Sequence, residues 1–348
     1  MRACVLHAAK DLRLEERRSA PLQAGEVRLR FGAGGICGSD LHYYFDGRVG
    51  DFAVREPLIL GHEVAGEVIE TGAGVSRVKA GDRVAVNPSL PCWQCRACQA
   101  GRTNLCARMT FFGSAAVMPH IQGAFQERLT VHESQCFVVP AAATPFAIAA
   151  MAEPLAVCLH AVQRAGALLG AHVLITGSGP IGALTCLAAR HAGAARITIT
   201  DRADPPLAVA ARVGADETIN IARAAGQIER YKADRGQFDV AFEASGNPKA
   251  LVTCLDCTRP GGRIVQLGML PQGELGLPLT KLTPKELDLV GTFRFHDAFG
   301  LAVEALVSGR LDVTPILTGT FDARERDAAF AAAADRERHM KVHLTFDD

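Results

Sequence analysis

Residues 35–63 hold a thiol, two imidazoles, a hydroxyl and carboxylates spaced among glycines. Cys37, Ser39, Asp40 and His42 fall in Gly35-Ile36-Cys37-Gly38-Ser39-Asp40-Leu41-His42, and His62 and Glu63 in Leu60-Gly61-His62-Glu63. Cys, His and Glu together make the ligand set of an open zinc site, where three protein ligands leave a fourth position for a reacting molecule. Ser39 and His42 add a hydroxyl and an imidazole able to pass a proton outward, for which a closed metal site has no use. One Cys and one His alone would read more simply as a buried free thiol beside a core histidine. The rest of the chain argues against that.

Cys92-Trp93-Gln94-Cys95-Arg96-Ala97-Cys98, with Cys106 shortly after, has the spacing of a closed tetrahedral zinc held by four thiolates. With no free position this metal would clamp a lobe and do no chemistry. Four thiolates leave it net negative, and Arg96, Arg102 and Arg108 stand close in sequence to answer that charge. Cys254 and Cys257 form a second, isolated C-x-x-C on an expected helix, and read as core thiols.

A further constellation follows an apolar strand over 172–176: Gly177-Ser178-Gly179-Pro180-Ile181-Gly182. It opens an expected helix over 181–191 and precedes a strand over 196–200 that ends in Asp201. That context is a dinucleotide site. Gly177, Gly179 and Gly182, with Pro180 and Ile181 starting the helix, admit a pyrophosphate to the helix N-terminus, and Asp201 accepts from the adenosine ribose. A carboxylate there repels a 2′-phosphate, so NAD should be preferred. Arg202 could swing toward such a phosphate, so NADP could be tolerated.

The elements that must position these groups fall into two patterns. Residues 26–31 and 82–86 alternate polar and apolar, and 61–75 reads as a strand bounded by glycine turns, which suggests a compact β-rich domain. An alanine-rich helix is expected from about 147 to 164. Strands at 217–220, 238–243 and 263–267 then alternate with helix-sized segments, the signature of right-handed βαβ units. The 348 residues suffice for two domains, and 49% hydrophobic against 21% charged residues allows a sizeable core. Lys plus Arg and Asp plus Glu are equal at 37 each, leaving no basic surplus for nucleic acid or an anionic membrane. No signal-like start or uncharged, glycine-free spanning stretch is evident, and 11 cysteines in a chain of this size read as ligands or buried thiols. A cytoplasmic location is expected.

In this order the motifs resemble those of the zinc-dependent medium-chain alcohol and polyol dehydrogenases, along essentially the whole chain. The residues behind the resemblance are Gly61-His62-Glu63…Gly66…Gly72…Val75, the four-cysteine lobe and the dinucleotide fingerprint. Met151-Ala152-Glu153-Pro154-Leu155-Ala156 resembles the polyol branch, with Glu153 where alcohol dehydrogenases proper carry a zinc-binding Cys. Such a resemblance implies an α/β fold: a GroES-like β-rich catalytic domain from 1–146 and 294–348, and a Rossmann doubly wound parallel-sheet domain over 147–293. It implies one catalytic and one structural zinc, a homotetramer or homodimer, and a sugar acid or polyol as substrate. It also implies a proton route from the substrate hydroxyl through Ser39, the nicotinamide ribose and His42 to solvent. Cys37 as thiolate, neutral His62 and one Glu would make the catalytic zinc site formally neutral.

Which glutamate completes that set stays open. Successive strand residues face opposite sides, which argues for Glu153, whereas a bend at the strand end would admit Glu63 beside His62. Asp40 would orient a ligand from behind. For a substrate carboxylate, Arg294 in Thr292-Phe293-Arg294-Phe295 is the first candidate cation; a cofactor or subunit contact is the plainer account of it. His120 and Ser114 come second, with Tyr44 and Phe112 walling the cleft. A zinc-free quinone reductase would lack Cys37, His62 and the cysteine lobe, and a non-catalytic dinucleotide sensor would have lost Ser39 and His42. A threonine, sorbitol or xylitol dehydrogenase shares the chemistry and is the nearer competitor.

Overall fold

A computed structural model describes residues 1–140 and 144–347. The N-terminal part is built on β1 (Glu26–Gly35), whose Val27, Leu29 and Phe31 point into the core. Helix α1 (Gly38–Asp46) starts immediately after it. Asp40, in its first turn, accepts from the backbone N–H of Cys37 at 2.9 Å, the reciprocal bond of a capping box. The helix stops at Gly47, whose left-handed φ of 67° lets its N–H reach the Tyr43 carbonyl at 3.0 Å. Strand β2 (Glu63–Thr71) lies antiparallel to β1 with Glu63 opposite Gly35, and β3 (Arg83–Val86), β4 (Arg128–His132) and β5 (Cys136–Val138) extend the sheet.

The expected helix over 147–164 is two helices, α2 (Phe146–Ala150) and α3 (Ala152–Ala165), broken at Met151. Pro154 accounts for the break. It has no N–H to give a preceding turn, and it sits comfortably only in the first turn of a new helix. The break places Glu153 at the start of α3. By length and composition, the Phe146–Ala165 run could cross a membrane, but 67% of its most apolar window is buried inside the protein.

Six parallel strands follow: β6 (His172–Thr176), β7 (Arg196–Asp201), β8 (Glu217–Asn220), β9 (Phe238–Glu243), β10 (Thr258–Gln266) and β11 (Asp288–Gly291), in the order β8-β7-β6-β9-β10-β11. The order reverses between β6 and β9, where the crevice beyond the strand ends takes a ligand in sheets of this kind. Helix α4 (Pro180–His191) follows β6, and α5 (Pro248–Cys257) carries Cys254 and Cys257, both fully buried. Helix α6 (Ala298–Val307) packs Phe299, Ala302 and Leu306 into the core shared with α3 and this sheet. The chain then returns to the first sheet through β12 (Leu317–Asp322), α7 (Arg326–Ala334) and β13 (Lys341–Thr345). Strand β13 pairs with β1, His343 opposite Gly35, so Gly35 is flanked by Glu63 on one side and His343 on the other.

Candidate active site

Cys37, His62 and Glu63 converge, their ligand atoms all lying within 4.8 Å of one another. Cys37 is held by the first turn of α1. His62 sits just before β2, after Gly61 turns at φ 91°, so the strict alternation of a strand does not apply. The bend therefore brings His62 and Glu63 to one place. Asp40 binds the backbone rather than a side chain. Its Oδ1 accepts from Gly61 N–H at 3.0 Å and its Oδ2 from Cys37 N–H, fixing the two loops that carry the cluster. His62 Nδ1 lies 3.7 Å from the same carboxylate.

Charge shows what the cluster wants. Burial opposes charging His62, yet Asp40, Cys37 and Glu153 outweigh it and push the ring up to about 10. Glu153 is buried at the start of α3; burial, aided by the charge of Glu63, raises its pKa to about 7. Such a pocket of anions favours a cation in its midst, and its S, N and O donors suit zinc.

One partner has no signature in the sequence. Lys341 Nζ donates to both Glu63 oxygens, at 2.6 and 2.7 Å, and to the Ile36 carbonyl at 3.2 Å. The pair is almost wholly inaccessible to water. It forms because Gly35 stands between the strands: a Cβ there would meet Glu63 Oε2 at 2.0 Å. Lys341, Val342, His343 and Leu344 are all buried, so this strand is covered on both faces.

His343, also in that strand, is 1% exposed with neither ring nitrogen hydrogen-bonded to any of the described residues, and burial lowers its pKa to about 4. Below the unfolded value near 6.5 the unfolded chain takes up a proton there that the folded chain refuses. Stability should therefore fall by about 3 kcal/mol as pH drops from 6.5 to 4, at ~1.4 kcal/mol per pKa unit. His343→Met should flatten that part of a urea-midpoint-versus-pH curve; an unchanged slope would refute the assignment.

Ser39 is half-buried and His42, one turn on along α1, is exposed, its Nδ1 3.1 Å from Asp46 Oδ2. Tyr44, expected to wall the cleft, turns the other way: its hydroxyl donates to Asp327 at 3.1 Å and its ring lies 4.8 Å from Phe330 of α7. The neighbouring Tyr43 takes the inner position, its hydroxyl accepting from Ala115 N–H at 3.0 Å. Phe112 is likewise core, and Phe111 lines the inner side, 5.4 Å from the His62 ring. Arg294 stacks on Phe111 at 3.9 Å, so a guanidinium stands one ring away from the cluster. Burial lowers its pKa to about 10, against the pull of Glu153 and Tyr43. His120 is unsuited to bind an anion: Nε2 accepts from Arg55 N–H at 2.9 Å and Nδ1 donates to the Val117 carbonyl at 2.8 Å. Ser114 Oγ accepts from Ala116 N–H at 3.3 Å.

Cys92, Cys95, Cys98 and Cys106 form a second cluster, their sulfurs within 4.8 Å of one another. Backbone N–H groups of Cys92 and Arg108 point at Cys106 Sγ, at 3.3 and 3.4 Å. The Gln94 N–H, with the Arg108 side chain, lowers the Cys92 thiol to about 6. Four sulfurs and backbone donors fit a closed zinc.

At the other site, Gly177 turns at φ 92° and a Cβ on Gly182 would sit 1.9 Å from the Gly177 carbonyl, so turn and helix touch. Gly179 caps α4, with Pro180 and Ile181 opening it and nothing within 4 Å of a Cβ on Gly179: the approach is open. Asp201 is locked at the end of β7, Oδ2 accepting from Ser178 N–H at 2.7 Å and Oδ1 from Arg202 N–H at 2.6 Å. The cradle fits a dinucleotide. Asp201→Ala should shift the NAD/NADP ratio of kcat/KM toward NADP by about tenfold, one charge-assisted bond's worth; wild-type enzyme favouring NADP more than tenfold would overturn it.

Residues 23–141 match the alcohol dehydrogenase GroES-like domain and 180–308 the zinc-binding dehydrogenase model. The chain is 42% identical to L-idonate 5-dehydrogenase (NAD(P)(+)) of Escherichia coli strain K12 over 314 residues, covering 90% of each. It belongs to the zinc-binding alcohol dehydrogenases. The crystal structure of the Escherichia coli L-idonate 5-dehydrogenase superposes with a TM-score of 0.94 at 39% identity, over 99% of this chain and 98% of that one. A sorbitol dehydrogenase of Bacillus subtilis strain 168 is 36% identical over 98% of this chain and 96% of its own length. This zinc-binding dehydrogenase oxidises an alcohol with a nicotinamide dinucleotide, and its α/β fold joins a GroES-like domain to a Rossmann sheet.

Proposed function

We propose that this dehydrogenase oxidises L-idonate at C5, reversibly, to 5-keto-D-gluconate, with NAD preferred. The observation behind the sugar-acid reading is Arg294, a half-buried cation one aromatic ring from the Cys37–His62–Glu63 cluster, where a substrate carboxylate would find a charge-assisted partner. The similarity to L-idonate 5-dehydrogenase supports it.

Cys37, His62 and Glu63 would hold the catalytic zinc, with Glu153 beside them, and Cys92, Cys95, Cys98 and Cys106 the structural one. Bound zinc acidifies a hydroxyl, and the nicotinamide accepts hydride. Lys341 alters the charge balance expected from sequence. Its ammonium adds one positive charge beside Glu63, and an ionised Glu153 returns the site to neutrality. Ser39 takes the substrate proton and His42, on the same face of α1, delivers it to solvent. Phe111 and Tyr43 keep water from the reacting carbon. The cofactor would lie on Gly177, Gly179, Pro180, Ile181 and Gly182, with Asp201 at the ribose. The domain limits 1–146 with 294–348 and 147–293, a homotetrameric or homodimeric state, a cytoplasmic location, and the lack of nucleic-acid and membrane partners belong to the same reading.

The second reading is a polyol dehydrogenase of sorbitol or xylitol type, favoured by the sorbitol dehydrogenase relatives. Steady-state kinetics with L-idonate, sorbitol, xylitol and L-threonine separates them. Arg294→Met should lower kcat/KM for L-idonate by about 10–100-fold, mostly through KM, at 1.5–3 kcal/mol for a charged hydrogen bond. Sorbitol should respond less than about threefold. Wild-type preference for sorbitol or xylitol over L-idonate would leave the polyol reading standing.

A further inference from the structure

A cavity of about 230 Å³ lies between the cysteine lobe, α3 and the segment at the end of β11. Its charged lining is basic: Arg102 and Arg164, with His160 and His296, whose rings meet edge to face at 5.1 Å. Burial, then the neighbouring charges of His296 and Arg164, lowers the pKa of His160, as expected where the local potential is positive. Asp297, whose Oδ1 lies 2.9 Å from His296 Nδ1, is the adjoining carboxylate, and it is exposed.

Among the described residues, two polar atoms at this cavity are buried without a partner: Asn104 Oδ1 and Thr292 Oγ1. Asn104 is 6% exposed, and its amide N–H already donates to the Phe293 carbonyl at 2.8 Å, which fixes the free oxygen's placement. A buried acceptor left unpaired costs ~1–3 kcal/mol, so the cavity is built for something that donates a hydrogen bond there. Arg164 uses Nε on the Gly291 carbonyl at 3.2 Å, and among the described residues its two terminal nitrogens find no hydrogen-bond partner. Those call for an anion.

We propose that this cavity is a second binding site, for a small oxyanion that also carries a hydroxyl donor, such as hydrogen phosphate, a phosphate monoester or a hydroxy acid. The anion meets Arg164 and Arg102, its hydroxyl donates to Asn104 Oδ1, and Thr292 donates to it. The site is separate from the catalytic cluster. His160 lies seven residues beyond Glu153 on α3, about 10 Å along the helix at 1.5 Å per residue. The inference does not depend on which alcohol the enzyme oxidises.

The test is calorimetric titration of the zinc-loaded enzyme, saturated with NADH so that the pyrophosphate cradle is filled, with phosphate and with sulfate. Phosphate should bind saturably and at least about fivefold more tightly than sulfate, which has no proton to give Asn104; an unmade bond to a buried acceptor is worth ~1 kcal/mol or more. Arg164→Gln should weaken phosphate about tenfold or more and the near-isosteric Thr292→Val about fivefold, whereas Arg294→Met should leave it within twofold. In the Arg294→Met background, glucose 6-phosphate and gluconate show whether a phosphate ester or a sugar acid is the better occupant. No saturable binding at tens of millimolar, equal affinity for sulfate, or binding insensitive to Arg164→Gln overturns the proposal. So does an Arg164→Gln variant whose only change is its sedimentation behaviour, since the cavity would then be a subunit contact.

Discussion

Cys37→Ala should leave a folded chain carrying one zinc instead of two, with kcat/KM reduced by more than about a hundredfold. Removing a group that merely orients a metal ligand commonly loses 10–100-fold, and removing a ligand should lose more. The fold should survive because Cys37 sits at the rim of α1, partly accessible, while the helix start is fixed by Asp40 through backbone bonds that alanine keeps. Glu63→Gln should lose the same zinc, whereas Glu153→Gln should keep both metals, since Glu153 stands beside the converging triplet rather than in it. Cys95→Ala is the contrast. It should retain activity per folded molecule and lower the melting temperature first, because the four-sulfur cluster clamps a lobe to the chain after β11 through Asn104. Elemental analysis finding one zinc or none in native protein, or equal metal content in the Glu63 and Glu153 variants, would sink this scheme.

What could be read from the sequence was local. The four cysteines declare themselves by spacing, because four thiolates on one ion need short loops between them. The Gly177–Gly182 turn with its flanking strand and helix is legible for a similar reason: close approach of backbone to backbone excludes any Cβ at Gly182. Strands such as Glu217–Asn220 and Phe238–Glu243 fall where expected because parallel neighbours need helix-sized crossovers between them, and that spacing shows in the sequence.

What the sequence missed or left open shares a cause as well. Tyr43 and Tyr44 differ by 100° of helical phase, and two adjacent aromatics do not reveal which faces the cleft. Arg294 reaches Phe111 from a left-handed backbone, φ 50°, at a residue that nothing marks as turn-forming. Whether His62 and Glu63 point the same way depends on a bend one residue before β2. In each case the deciding contact joins residues far apart in the chain or turns on one dihedral, and hydrophobic periodicity carries neither.

Lys341 reaches Glu63 across 278 residues, and that contact supports the largest stability effect expected. Lys341→Met should cost about 3–5 kcal/mol, because it leaves a carboxylate buried without its counter-charge. Burial alone would raise the pKa of Glu63, yet Lys341, with His62 adding, holds it below the usual carboxylate range. The same pair need not be worth that much in itself, since two charges pay heavily to leave water. The double variant Glu63→Gln/Lys341→Met should therefore be appreciably more stable than the sum of the single changes implies. Urea midpoints at constant slope measure all four proteins. The effect should be larger after chelation than with zinc present, because the metal shares the charge of Glu63 and partly stands in for the ammonium. A single-variant loss below about 1 kcal/mol, typical of exposed pairs, or additive single and double variants, would show that Glu63 finds its stabilisation elsewhere and that Lys341 does not set the charge beneath the metal site.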